Sequence, residues 1–445
     1  MGDILISRIK ALTAHNGIKQ YGANTIWLLG EKILRLVSGL FIGIWVARYL
    51  GPEEFGVFSY VLAFVGLFIP LAKLGLDGII CRDIARNDSD ITNLLNSSLF
   101  IKFIGGLLLV SIATCYMIFT KTNPTYIYLS IILSFVYVVR AFEVLEFYFR
   151  AKVKSIYISV SGSIGIIVAA CLKVTFIVLS LPLIYFAIAN LVEVFISIFC
   201  LLIFFRKEAY KLTPKAVNIT KSMSLLKESW PLIFSGFFAL VYLNIDQIMI
   251  EEMLGSYEVG QYSAAVRISS AFYFIPLTIG WSIQTAVVNA KKQSESEYYA
   301  RLQQLLTLMA ILAYILIIPI FFFAEEIIFF SFGLEYSGAS SILSVHIWAS
   351  LFVFLGSIRG LWVINESYFR FALIANMGAG VINVGLNYIW LPQYGITGAA
   401  WATFISYGVT YVASGLLFKP AIKIVIMQLK AAFLYDFIVQ LKRLK

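Results

Sequence analysis

Glu31, Lys32 and Arg35 stand in GEKILRLVSG, residues 30–39, inside an apolar run from Thr25 to Leu50. A lone charge at the centre of a bilayer costs at least about 2.5–3.5 kcal/mol, so three charges in one run require a partner, a wet cavity or a ligand. Glu31 and Arg35 lie four residues apart, acid first, and so share one helix face as a pair. Ser38 and Ile42 continue that face, while Lys32 sits about 100° away and can snorkel to the inner surface. Similar residues recur in other apolar runs. Arg140 and Asp246 lie deep, Lys173 and Arg267 fall in the outer half, and Lys102 and Arg359 lie nearer the inner ends, where a headgroup contact competes. Two chemistries fit. Structural ion pairs, such as Arg140 with Glu143 one turn on, would lock helices together. Alternatively, Arg35, Arg140, Lys173, Arg267, Lys102 and Arg359 would line a polar cavity between two halves of the protein and hold an anion. Glu31 and Asp246 are the carboxylates placed to take up a proton or a sodium ion, unless both are salt-bridged.

Neutral polar residues add to this set. Asn244 and Gln247 flank Asp246, while Asn376, Asn383 and Asn387 repeat at seven and four residues on one face. Trp281 and Gln284 share another face. Amides with aromatics suit a sugar, and hydrogen bonding between helices is the competing role. Catalysis finds little support. The two histidines, His15 and His346, are far apart, the four cysteines are scattered, and no phosphate loop, zinc spacing or nucleophile elbow is present. No cofactor and no metal are expected.

These residues must be positioned by membrane helices. Of 445 residues 60% are hydrophobic and 13% charged, against about 45–50% and a quarter in soluble domains. Twelve runs approach the roughly 20 residues a crossing helix needs: 25–49, 55–75, 94–119, 126–148, 156–179, 182–205, 230–253, 259–287, 303–323, 340–363, 371–391 and 398–418. The net charge of +10 is not a nucleic-acid signal, because alternate loops hold 24 of the 34 Lys and Arg while the opposite loops hold only Arg48 and Lys121. The positive-inside rule then places both termini in the cytoplasm. Residues 1–24 lack a compact apolar core, so no cleaved leader is expected, and ILISRIKAL is either a short interfacial helix or solvated. The tail 419–445 is expected to be cytoplasmic or interfacial, an amphipathic helix on the membrane surface, with a thirteenth span as the alternative.

The chain repeats itself. Leu50, Gly51, Glu54, Gly56 and Ser59 match Leu254, Gly255, Glu258, Gly260 and Ser263 at a constant offset of 204, and Phe58 corresponds to Tyr262. After a two-residue shift Pro70 matches Pro276, and both are candidate kinks. Six spans per half is an even number, so the halves share one orientation. The expected architecture is all-α and polytopic: twelve helices in two six-helix lobes, 1–205 and 230–418, related by a pseudo-twofold axis along the membrane normal and joined by a cytoplasmic linker at 206–229. Gly395, Gly398, Ala399 and Ala400 allow close helix packing.

At ARYLGPEEFGVFSYVLAF, residues 47–64, and LGLDGIICRDIAR, residues 74–86, the sequence resembles the Wzx-type polysaccharide flippases, relatives of the multidrug MATE transporters and lipid II flippases. The repeated LG-x-x-E-x-G element and YGITGAA extend the resemblance over most of the chain. It implies a MATE-like fold, alternating access and a cargo of oligosaccharide on undecaprenyl diphosphate, moved from the cytoplasmic to the periplasmic leaflet of a bacterial inner membrane for O-antigen or other surface polysaccharide. A polysaccharide polymerase and chain-length proteins are the implied partners. Arg48, Gly51, Pro52, Glu53, Phe55 and Gly56 fall on the first motif, and Gly75, Asp77, Arg82, Asp83 and Arg86 on the second. Among these, Arg48, Gly51, Pro52, Gly56, Asp77 and Arg82 are read as gate-forming or structural residues.

A basic cavity fits that cargo, since a diphosphate is costly to move through hydrocarbon. The competing readings are a cation-coupled drug exporter of the same fold, a membrane glycan polymerase or glycosyltransferase, and a structural assembly partner. The short non-cytoplasmic loops argue against the enzyme.

Overall fold

The computed structural model describes residues 16–86, 91–208, 210, 212, 213 and 217–435; the ILISRIKAL stretch and the end of the tail lie outside them, as does the side chain of Trp281. The fold is almost wholly helical, as lipid demands of a chain that must satisfy its own backbone groups. In order the helices are α1 (Asn16–Lys73), α2 (Asp77–Arg86), α3 (Ile91–Thr120), α4 (Pro124–Val139), α5 (Val144–Ala151), α6 (Ser155–Val178), α7 (Leu183–Phe205), α8 (Ile219–Leu254), α9 (Ser256–Ser270), α10 (Phe274–Gln293), α11 (Glu295–Phe322), α12 (Ala324–Phe332), α13 (Ala339–His346), α14 (Ala349–Glu366), α15 (Phe369–Tyr411) and α16 (Ile422–Ala432).

Ten helices among the described residues are long and apolar enough to cross a bilayer. Two of them each take in a pair of the spans expected from hydropathy. α1 bends at Gly51 (φ 71°, ψ 171°) and α15 at Gly395 (φ 58°, ψ −148°), in backbone conformations that favour glycine. The proline expectations divide. Pro276 follows a 3₁₀ turn at Ala271–Tyr273 that interrupts its span, whereas Pro70 lies in the last turn of α1 before Leu74 and Gly75 turn left-handed. A second 3₁₀ turn, Arg140–Glu143, separates α4 from α5 inside the single span expected over 126–148.

The chain forms two compact units, Met1–Val46 with Phe64–Phe237, and Ala47–Ala63 with Phe238–Lys445. Each therefore takes a stretch from the other half of the sequence. In the first unit α6 packs on α7 and α3 on α4, with α4 also against α7. Its core gathers Ile80, Leu94, Leu145, Phe149 and Leu201. Gly75 makes room there for α8, since a Cβ on it would come within 2.6 Å of Leu232 Cβ. Arg82 bonds Glu228 at 2.6 Å and Asp83 at 2.7 Å, and Asp77 faces Lys102 at 3.7 Å. The second family motif thus anchors the start of α8.

In the second unit the repeat becomes a physical contact. A Cβ on Gly56 would run into the Ser256 carbonyl, and a Cβ on Gly260 into the Pro52 carbonyl. Ser256 and Gly260 are Pro52 and Gly56 shifted by 204, so the crossing is reciprocal, two small-xxx-small faces laid together. Gly255 (φ 100°, ψ 174°) repeats the turn made by Gly51. Tyr60 donates to Glu252 Oε1 at 2.7 Å, Tyr336 to the Ala47 carbonyl at 2.6 Å, and Arg48 to the Phe330 carbonyl at 3.5 Å, fixing the motif segment. The tail helix α16 packs lengthwise on α11: Gln303 donates to the Met427 carbonyl and Tyr314 to that of Ala432.

Candidate functional site

Two polar sites interrupt the apolar interior, one in each unit. The first is a charged cavity of about 440 Å³ in the first unit, walled by α1, the Arg140 turn, α5, α6 and α7. α1 presents Glu31 and Arg35 one turn apart, and α7 presents Glu193 from an otherwise apolar helix. Arg35 donates through Nη2 and Nε to Glu31 Oε1 at 2.8 and 3.0 Å, and through Nη1 to Glu193 Oε1 at 2.7 Å. Gly162 lets α6 close over this pair, since a Cβ there would lie 3.2 Å from Glu31 Oε1. Arg140 pairs with Glu143, brought beside it by the 3₁₀ turn. Lys102, only 2% exposed, sits 4.0 Å from Glu143 and over the Phe147 ring.

The cavity is charge-balanced rather than basic. Lys32, Lys73 and Arg150 join Arg35 and Arg140 on its wall, and Asp77 and Glu146 join Glu31, Glu143 and Glu193. Five bare cations in a lipid-embedded hollow would carry a prohibitive desolvation cost, which paired carboxylates offset. Of the two arrangements the sequence left open, ion pairs and a cation-lined hollow, the wall of this cavity combines both within the first unit. Yet Arg35 keeps 47% of its side chain exposed while its partners are mostly covered. A guanidinium has five donors in a fork, so a phosphate entering the cavity can engage this one bidentately as the carboxylates yield.

Of the six cations singled out in the sequence, Arg35 and Arg140 line this cavity, and Lys102 lies buried behind it beside Glu143 and Asp77. Lys173 lies on α6 eleven residues beyond Gly162, about 16 Å further along the helix, and does not line the cavity. Arg267 and Arg359 belong to the second unit. Arg267 lies over the Phe55 ring at 5.1 Å. Arg359 donates to the Thr410 carbonyl and to Ser414 Oγ, tying α14 to the end of α15. Packing explains both. Glu193, Glu146 and Arg150 were not singled out as site residues, although a single carboxylate in LIYFAIANLVEVFISIF was a readable signal for Glu193.

The second site surrounds Asp246, which is 5% exposed. Its Oδ2 accepts from Thr403 Oγ1 at 2.6 Å and from Tyr262 Oη at 2.8 Å, and its Oδ1 accepts from Asn387 Nδ2 at 2.5 Å. Asn387 also donates to Asn383 Oδ1 at 3.1 Å, and the Ala399 carbonyl lies 3.0 Å from Thr403 Oγ1. No cation forms an ion pair with Asp246 among the described residues. A buried carboxylate with only neutral partners is costly unless a proton or metal ion neutralises it, and clustered carboxylate, amide, hydroxyl and carbonyl oxygens suit a hard cation. Asn387 reaches Asp246 and Asn383 joins it through Asn387, on the one face their spacing marks, whereas Asn376 is exposed and Asn244 bonds back to its own helix. Thr403 and Tyr262 were missed. The repeat marked the latter, since Phe58 fills the matching position and only Tyr262 carries a hydroxyl. His346 is packed, with Nδ1 2.8 Å from Ser269 Oγ.

The fold is one shared with solved polytopic helical membrane proteins. A multidrug resistance MATE family transporter of the MOP superfamily in an inward-facing conformation superposes with a TM-score of 0.70 at 16% identity, covering 87% of this chain and 95% of that one. The lipid II flippase MurJ in an inward closed conformation gives 0.70 at 17% identity, covering 94% and 92%. The particular family follows from sequence. The polysaccharide biosynthesis protein model matches residues 21–288, and the chain belongs to that family; the MatE model also matches, over 231–389. A probable low-salt glycan biosynthesis flippase, Agl15 of Haloferax volcanii, is 27% identical over 206 residues, a stretch that spans 44% of this chain and 42% of that relative.

Proposed function

We propose that the protein is a transporter rather than an enzyme: a flippase that carries an oligosaccharide on undecaprenyl diphosphate from the cytoplasmic to the periplasmic leaflet by alternating access. The observation that carries this reading is the cavity around Arg35, where a half-exposed arginine side chain stands between two carboxylates in a hollow of about 440 Å³. Such a site accepts an anionic headgroup without leaving bare cations when empty. Arg140, on the same wall, supplies further positive charge as the headgroup displaces its carboxylate. The glycan occupies the polar space and the prenyl chain stays in lipid. Family membership and the Agl15 relative favour this cargo over a cationic drug. The distribution of Lys and Arg supports an inner-membrane orientation with both termini cytoplasmic.

Asp246 is the preferred coupling group, because Glu31 is already ion-paired with Arg35 whereas Asp246 has only neutral donors. A proton or a sodium ion would bind there. Reconstitution into sealed vesicles with defined prenyl-diphosphate glycans, scoring leaflet exchange, tests the reading. Exchange that requires Arg35 supports it. Exchange of cationic dyes but not glycolipid would replace it with the drug-exporter reading, and elongation of the glycan would replace it with the polymerase.

A further inference from the structure

The structure assigns Glu146 as the residue of the charged cavity that reads the sugar joined to the carrier's diphosphate, by accepting hydrogen bonds from two of its hydroxyls. The inference deepens the reading of the cargo and rests on it. Five carboxylates line the cavity. Glu31 and Glu193 hold Arg35, Glu143 holds Arg140, and Asp77 faces Lys102 at 3.7 Å. Glu146, half-buried on α5, makes neither an ion pair nor a hydrogen bond among the described residues. Neither neighbouring cation in the chain closes a pair with it. Arg140 turns to Glu143. Arg150 stands four residues on, at the spacing of a helical ion pair, but its guanidinium lies 5.9 Å from the Phe147 ring.

A carboxylate held away from bulk water is costly until donors reach it, and when ionised it can only accept. Adjacent sugar hydroxyls supply donors in pairs, spaced to meet the two oxygens of one carboxylate. A second group points the same way. Ser161 on α6 lines the same cavity, is 2% exposed, and its Oγ has no hydrogen-bond partner. Ser197, by contrast, satisfies itself on the Glu193 carbonyl at 2.8 Å. A serine hydroxyl both donates and accepts, so it complements a carboxylate in holding a hydroxylated ring. Size agrees. The cavity's 440 Å³ is roughly fifteen times the share of one water, about 30 Å³, and a diphosphate on Arg35 leaves room for a sugar ring. The same carboxylate disfavours an acidic sugar there, because like charges in one hollow repel. The class selected is a neutral sugar with adjacent free hydroxyls.

The test measures binding to the full-length protein in lipid nanodiscs with two probes of equal charge. One is a prenyl diphosphate capped by a methyl ester; the other carries a single neutral hexose in place of the methyl group. The hexose probe is expected to bind about tenfold more tightly, the effect of hydrogen bonds to a charged acceptor. Glu146→Gln should erase that advantage while leaving the methyl probe and the melting temperature unchanged. Ser161→Ala should reduce the advantage by about fivefold, as for a neutral hydrogen bond. Arg35→Gln should weaken both probes alike. Equal binding of the two probes by the unaltered protein, a hexose advantage that survives Glu146→Gln, or a Glu146→Gln variant that weakens both probes equally would overturn the assignment and leave the anion site at Arg35 standing. Failure of both probes to bind would overturn the reading of the cargo, and this assignment with it.

Discussion

Replacing Glu193 by Gln offers a perturbation whose sign separates two roles for the Arg35 cluster. Arg35 Nη1 lies 2.7 Å from Glu193, and Nη2 lies 2.8 Å from Glu31. A hydrogen bond to a charged group contributes about 1.5–3 kcal/mol when well shielded. With 47% of Arg35 exposed, solvent screening brings this ion pair down to about 1 kcal/mol. Glu193→Gln should therefore lower stability by no more than about 1 kcal/mol. It also removes the group with which an incoming phosphate competes for Nη1. Binding of a prenyl-diphosphate glycan to the protein in lipid nanodiscs should tighten by about fivefold, while turnover in vesicles falls because release slows. Arg35→Gln should act in the opposite direction and weaken binding by about tenfold or more. Melting curves of both variants exclude misfolding as the cause. If Glu193→Gln weakened binding as Arg35→Gln does, Glu193 would orient the guanidinium rather than compete for it, and the reasoning would fail. If neither variant changed binding, the anion would not occupy this cavity.

Three further outcomes follow from contacts elsewhere. Asp246→Asn should abolish the response of transport to a proton or sodium gradient while Glu31→Gln preserves it; vesicle transport with imposed gradients measures both, and the reverse result would move coupling to the first unit. Gly56→Leu forces a side chain into the Ser256 carbonyl and should destabilise the protein by about 1–3 kcal/mol or more, whereas Gly39→Ala, with nothing within 4 Å of its Cβ, should leave the thermal midpoint in place. Burial acts to raise the Glu208 carboxyl, but donation from Lys154 at 2.6 Å and Tyr148 at 2.9 Å outweighs it and holds the group below its ordinary 4.5; its contribution is complete above about pH 4.5 and drains away as pH falls through the folded value, so Glu208→Gln should lower the thermal midpoint at neutral pH and flatten its loss between pH 5 and 3.

Much of this architecture was legible in the linear chain because its causes are local. Hydropathy marks membrane helices wherever enough apolar residues run together, whatever they later touch. The offset of 204 pairs Gly51 with Gly255 and Gly56 with Gly260 in the sequence, and the structure turns that offset into one reciprocal crossing. Glu31 and Arg35 meet as their four-residue spacing requires, and Asn383 and Asn387 meet each other on the face their spacing marks.

Tertiary structure alone decided which distant groups met. Arg35 and Glu193 are 158 residues apart, and Asp246 and Thr403 are 157 apart. Both meetings depend on how far each helix is rotated about its axis, a quantity set by packing against neighbours and invisible to periodicity. For the same reason Lys173 and Arg359, as basic as Arg35 and as surrounded by apolar sequence, stand away from the charged cavity. The Arg140–Glu143 turn and the assignment of Ala47–Ala63 to the second unit likewise arise from packing. The chain by itself specified that charges would be buried and on which helices; the fold chose their partners, because an ion in low dielectric is stable only beside a specific opposite charge or donor.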